Sequence, residues 1–205
     1  MKPVVVTMVT DPAYAARASK LLATCQVHGL ECEVIRRPDR GTWIENVAQK
    51  PSVIRSTLQR LPEGTPVLWI DADATIECAP ALLYDCSDDF AIRKIDRRRR
   101  TWQPIGRTDS LTLPDEWEGT EWFLTGTVYV ANNHPGRSFI DRWCELAELN
   151  PRAYQQLICQ QAWCETEPNT PWLPREYCAI KQMDRIPDPV IAHDLASVGP
   201  DTVRE

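Results

Sequence analysis

Apolar residues gather in short blocks separated by polar turns. Residues 4–9 (Val-Val-Val-Thr-Met-Val) are apolar and β-branched almost throughout, the pattern of a strand covered on both faces. Thr10-Asp11-Pro12 follows, and Asp11 is suited to cap a helix that begins at Pro12. Over residues 13–27 the apolar positions recur at helical spacing, with Ala18, Leu21, Leu22 and Cys25 on one face. Gly29 closes the helix. Cys32 and Val34 then alternate with polar neighbours, which predicts a second strand over 31–36. The first 36 residues therefore read as a βαβ unit.

Residues 38–43 form a turn-rich connection. Val53, Ile54, Leu58 and Leu61 mark the apolar stripe of a helix over 52–61. After a Pro- and Gly-containing break, Val67-Leu68-Trp69-Ile70 is too short for anything but a buried strand, and it ends in Asp71-Ala72-Asp73. The second half is less regular. A short strand is predicted at 90–92, a long polar loop over 94–118, and a strand over 121–131 interrupted by Gly126. Helices follow over 134–149, with Phe139, Ile140, Trp143 and Leu146 inward, and over 154–165. A last strand at 190–192 runs directly into His193. Alternating strands and helices predict an α/β fold, a single Rossmann-type domain over 1–198 whose mixed, mostly parallel sheet is flanked by helices. Residues 199–205 read as a frayed tail.

Composition adds limits to this picture. The 205 residues suffice for one compact core. At 43% hydrophobic and 25% charged, the chain reads as an ordinary soluble protein. No apolar run approaches the roughly 18 residues of a membrane span. The N-terminus reads as a strand rather than a signal peptide, so the expectation is a cytoplasmic protein without membrane attachment. The eight cysteines form no Cys-x-x-Cys pair, which points to buried thiols rather than a zinc site. Net charge is −6, against a generally basic nucleic-acid binder. Locally, however, Arg97-Arg98-Arg99-Arg100 lies in the long loop beside Trp102. That cluster could neutralise phosphates and stack bases, which keeps a nucleic-acid acceptor open.

The chemistry gathers at the strand ends. In open α/β sheets ligands bind at the carboxyl ends of the strands, where Thr10-Asp11 and Asp71-Ala72-Asp73 both lie. Side chains at i and i+2 of an extended segment project together. Two neighbouring carboxylates raise each other's pKa unless a cation compensates, and Mg²⁺ or Mn²⁺ suits carboxylate and phosphate oxygens alike.

The stretch Val67-Leu68-Trp69-Ile70-Asp71-Ala72-Asp73 resembles the Asp-x-Asp motif of GT-A-fold nucleotide-sugar glycosyltransferases. Thr10-Asp11-Pro12-Ala13-Tyr14 resembles that family's first loop, and Lys50-Pro51 a segment that often precedes the motif strand. Phe123-Leu124-Thr125-Gly126-Thr127-Val128-Tyr129 resembles the Gly-containing strand lining the site, and His193 the late histidine that adds a metal ligand. The resemblance implies transfer of a sugar from a nucleotide-diphosphate donor, a UDP-sugar by family habit, to an acceptor hydroxyl, and the arginine cluster leaves open a hydroxyl on a modified DNA base. It implies Asp71, Asp73 and His193 as ligands of Mn²⁺ or Mg²⁺. Donor contacts would come from Thr10, Asp11, Tyr14, Lys50, Asp71, Ala72, Asp73 and Gly126. Where the family often places a carboxylate on the late helix, this chain has Cys159-Gln160-Gln161. Asp73, Gln160 and Gln161 are thus the catalytic candidates, with a lean toward a retaining mechanism.

Two rival readings stand beside it. Asp71-Ala72-Asp73-Ala74-Thr75 also fits the Asp-x-Asp-x-Thr motif of haloacid-dehalogenase-type phosphatases, with Asp71 as nucleophile, Lys181 as the third-motif lysine and Asp184 and Asp188 as the late acids. Against it, that motif normally lies on the first strand. The other rival is a sugar-nucleotide-binding module without catalysis.

Overall fold

A computed structural model describes residues 1–96, 121–181 and 184–194. The predicted βαβ unit is present as β1 (Val4–Val9), α1 (Pro12–Val27) and β2 (Cys32–Arg36), with β1 and β2 paired in parallel. Asp11 caps α1, its Oδ1 accepting from the backbone N–H groups of Ala13 at 2.8 Å and Tyr14 at 3.0 Å. Gly29 follows the helix at φ +61°, a conformation that costs glycine little. A short helix α2 (Trp43–Val47) begins where the turn-rich connection expected over 38–43 ends, in a stretch to which the pattern assigns no element. α3 (Lys50–Arg60) leads into β3 (Val67–Ile70).

Beyond β3 the chain turns into β4 (Ala74–Ile76), then β5 (Phe90–Asp96) and β6 (Glu121–Val130). Two long helices follow, α4 (His134–Leu149) and α5 (Gln155–Thr166), then short strands β7 (Ala179–Ile180) and β8 (Ile191–His193). His193 therefore ends the last strand rather than following it. Residues 94–96 of the expected long loop extend β5. The remainder of that loop, with Arg97–Arg100, and the tail 199–205 lie outside the described residues.

The main sheet has the order β2-β1-β3-β6-β5. β1, β2, β3 and β5 run one way and β6 runs against them, so the sheet is mixed and mostly parallel. Both faces are covered, and strand alternation divides the core accordingly. Val4, Val6, Val67, Trp69, Val128 and Val130 pack with residues of α3, α4 and α5. Val5, Leu68, Ile70 and Tyr129 pack on the other side, with Leu21 and Cys25 of α1. None of the eight cysteines is paired in a disulfide, and Cys25, Cys144, Cys159 and Cys178 are buried.

A second, three-stranded sheet has the order β4-β8-β7. β4 pairs antiparallel with β8, which sets Ala74 opposite His193. No helix among the described residues is long and apolar enough to cross a membrane.

Candidate active site

Asp71-Ala72-Asp73 occupies the break between β3 and β4. The expectation of an extended segment projecting both carboxylates together is not met. A hydrogen bond from Ala74 N to Asp71 O (3.0 Å) closes a turn, so the two side chains find different partners. Asp71 Oδ1 lies 2.8 Å from Lys50 Nζ and accepts from Trp69 Nε1 at 2.7 Å. Asp73 Oδ1 instead faces His193 Nδ1 at 3.8 Å. The cation that compensates Asp71 is thus built into the chain.

Lys50 is nearly buried, with its ammonium also donating to Thr125 O at 2.7 Å and lying 5.2 Å from the Trp69 ring centroid. α3 begins at this lysine, and the buried Val53, Ile54 and Leu58 fix the helix against the sheet.

β6 supplies the rest of the support. Opposite the step from Ile92 to Arg93 its pairing jumps from Val128 to Leu124, which leaves Thr125, Gly126 and Thr127 as a bulge. Each of the three reaches a different site residue. Thr125 holds Lys50. The Gly126 carbonyl accepts from Asp71 N at 2.9 Å. Thr127 Oγ1 bonds His193 Nε2 at 2.8 Å. A Cβ on Gly126 would stand 3.0 Å from His193 Cε1 and 3.2 Å from Nδ1, so the missing side chain is what admits the imidazole.

His193 is buried beside Cys178 and Asp73. Burial opposes a charge there, yet the Cys178 sulfur and the Asp73 carboxylate together carry its pKa up to about 10. Cys178 is pushed up by its own burial, but His193, Arg93 and a hydrogen bond with Thr127 outweigh this and leave the thiol below its ordinary value. Arg93 ties this region down. It pairs with both oxygens of Asp184, at 2.6 and 2.9 Å, and donates to Cys178 O at 2.6 Å.

A crevice of about 290 Å³ opens at the carboxyl ends of β1 and β3. Thr10, Asp11, Tyr14, Lys50, Asp71, Ala72 and Asp73 all line it, seven of the residues expected to contact a donor. Met8, Asp39, Gly41, Thr42, Trp43, Asn46, Val47 and Trp69 complete the lining. Most of these come from the loop after β2 and from α2, a wall that the sequence pattern does not announce. There Asp39 accepts from Gly41 N and Asn46 Nδ2, and these bonds hold its carboxyl below the usual range. Among the described residues the lining carries four carboxylates and one ammonium, which is already paired with Asp71. Tyr14 reports that negative field. Burial first, then Asp73 and Asp71, push its phenol up to about 12.

Gly126 and His193 stand behind the lining rather than on it. Gln160 is buried on α5, and the Gln161 amide donates to Glu165 at 2.9 Å on the same helix. Neither glutamine lines the crevice. Of the residues in the phosphatase reading, Lys181 pairs with Asp194 at 3.3 Å and Asp184 with Arg93, and neither lines the crevice.

The sequence matches no protein-family model and no curated protein. The fold, by contrast, has solved counterparts. One is a glycosyltransferase involved in glycosylation of the major capsid of PBCV-1. It aligns with a TM-score of 0.63 and 12% identity over 95% of both chains. Another is the apo-form glycosyltransferase GlyE of Streptococcus pneumoniae TIGR4, with a TM-score of 0.57 and 13% identity.

The chain shares its fold with these two enzymes.

It covers the PBCV-1 enzyme almost completely but only 54% of the GlyE chain. At such low identity the likeness concerns the fold, and it agrees with the α/β architecture expected from the Asp-x-Asp resemblance.

Proposed function

We propose that this protein is a metal-dependent glycosyltransferase that moves a sugar from a nucleotide diphosphate, a UDP-sugar by preference, to an acceptor hydroxyl. The observation that carries this reading is the pairing of Asp73 with His193 beside a crevice lined by Thr10, Asp11 and Tyr14, within a fold shared with glycosyltransferases.

The donor set suits Mg²⁺ or Mn²⁺. Asp73 brings a hard carboxylate oxygen and His193 an imidazole nitrogen, at the edge of a crevice with surplus negative charge. Among the described residues no three His, Cys, Asp or Glu side chains group closely enough to hold an ion. Two protein ligands supplemented by diphosphate oxygens is a common arrangement for Mg²⁺. Asp73 would hold the ion from the lining and His193 from behind it, with Asp71, already paired with Lys50, beside them. When bound, the ion would neutralise charge on the departing nucleotide diphosphate.

The remaining roles belong to the chain itself. The carboxylates along the crevice repel a bare diphosphate, so they select for a donor that arrives with a cation. Lys50 is the ammonium that the described lining offers to a phosphate oxygen. Its bond to Thr125 O and its burial hold that charge in place before substrate arrives, which favours electrostatic stabilisation. Asp11 is largely committed to capping α1, which leaves Thr10 and Tyr14 as the freer polar groups at that end.

Hydrolysis or transfer of UDP-sugars with and without Mn²⁺ tests the proposal, with Asp73→Ala as the control. Metal-dependent release of UDP that Asp73→Ala reduces by about 100-fold or more is expected. Equal turnover in that variant would refute it.

A further inference from the structure

We infer that Thr127 is a positioning residue that makes Nδ1, rather than Nε2, the nitrogen His193 offers to the cation. The inference rests on the metal-dependent reading above and extends it to a residue outside the crevice.

Thr127 is fully buried, and its Oγ1 is 2.8 Å from His193 Nε2. The other ring nitrogen, Nδ1, faces Asp73 Oδ1 at 3.8 Å. The ring has little freedom to turn over. It lies against Gly126, where a methyl group would stand 3.0 Å from Cε1 and 3.5 Å from the Cys178 sulfur. The β6 bulge places Thr127 here, while the next residue, Val128, returns to the apolar core.

The choice of a hydroxyl matters chemically. A threonine oxygen both donates and accepts. Toward a ring whose Nδ1 carries the hydrogen, Thr127 donates to the Nε2 lone pair. Toward a ring whose Nδ1 lone pair is directed at a cation, Nε2–H donates to Thr127 Oγ1. One buried group thus satisfies Nε2 in both tautomers, and Nδ1 stays directed at Asp73 in each. Outer partners of this kind orient ligating histidines, and their loss typically lowers metal affinity about 10- to 100-fold. Valine in place of Thr127 keeps the branched shape but cannot bond Nε2, whereas serine keeps the hydroxyl.

The test uses the full chain and its Thr127→Val, Thr127→Ser and Asp73→Ala variants. Mn²⁺ alone is titrated by calorimetry, and the His193 ring nitrogens are followed by long-range ¹H–¹⁵N NMR during titration with diamagnetic Mg²⁺. Thermal melts verify that each variant is folded. The expected result is a fall of about 10- to 100-fold in Mn²⁺ affinity for Thr127→Val, near-parental affinity for Thr127→Ser, and a Mg²⁺-induced shift at Nδ1. Parental affinity in a folded Thr127→Val, or a shift at Nε2, would overturn the inference while Asp73-dependent Mn²⁺ binding kept the broader reading intact. Absence of Mn²⁺ binding to the parent would remove both. Should Thr127→Val not fold, the position of the Mg²⁺-induced shift in the parent and in Thr127→Ser decides the matter.

Discussion

Lys50 and Asp71 form an ion pair at 2.8 Å in which the two partners are very unequally buried. The lysine side chain is 4% exposed and the aspartate 37%. The first acid of the Asp-x-Asp motif therefore has an internal counter-charge, while the second is left to face His193. This division of labour is invisible in the motif itself, where both acids look alike.

The inequality predicts an asymmetry between two substitutions. Asp71→Asn leaves a buried ammonium with neutral partners alone, the Thr125 oxygens, the Trp69 ring and the new amide, which should cost about 3 kcal/mol. Lys50→Met leaves a carboxylate that can rehydrate, which should cost about 1 kcal/mol after allowance for solvent screening. Urea unfolding of the two variants checks the order. A larger loss for Lys50→Met would show that Asp71, not Lys50, is the group the fold cannot leave alone.

Tyr14 offers a spectroscopic view of the same field. Asp73 disfavours the phenolate, so Asp73→Asn should lower the Tyr14 midpoint from about 12, and burial should keep it above the ordinary tyrosine value. Alkaline difference titration at the tyrosinate absorbance, referenced to Tyr14→Phe, measures it. An unchanged midpoint would mean that the carboxylate does not act on the phenol.

Two glycines separate site geometry from stability. Gly126→Ala pushes a methyl group against His193 and should cost about 1–3 kcal/mol while also impairing Mn²⁺-dependent turnover. Gly136→Ala, whose Cβ would collide with the Ala131 carbonyl oxygen, should destabilise the start of α4 and leave Mn²⁺ binding unaltered. Melting temperature and Mn²⁺ affinity, measured together, distinguish the two outcomes.

Features with a strong local signature were legible in the sequence. Asp11-Pro12 announced α1, the unbroken apolar runs of β1 and β3 announced a sheet buried on both faces, and Asp71-Ala72-Asp73 announced the crevice. α2 spans only Trp43–Val47 and buries no residue fully, so no periodicity could reveal it, although it supplies much of one wall. β4 is three residues long and is stabilised by pairing with β8, more than a hundred positions away. The reversal of β6 and its bulge at Thr125–Thr127 depend on tertiary pairing. The sequence singled out Gly126, but Thr127 beside it looked like any strand threonine. Gln160 and Gln161 rest on analogy of position alone, and neither lines the crevice.

Thermal stability in the presence of UDP-sugars tests the central claim most directly. Melting temperature should rise with a UDP-sugar only when Mn²⁺ is also present, and the rise should vanish in Asp73→Ala. An equal rise without metal, or an undiminished rise in Asp73→Ala, would contradict a donor site built on Asp73 and His193.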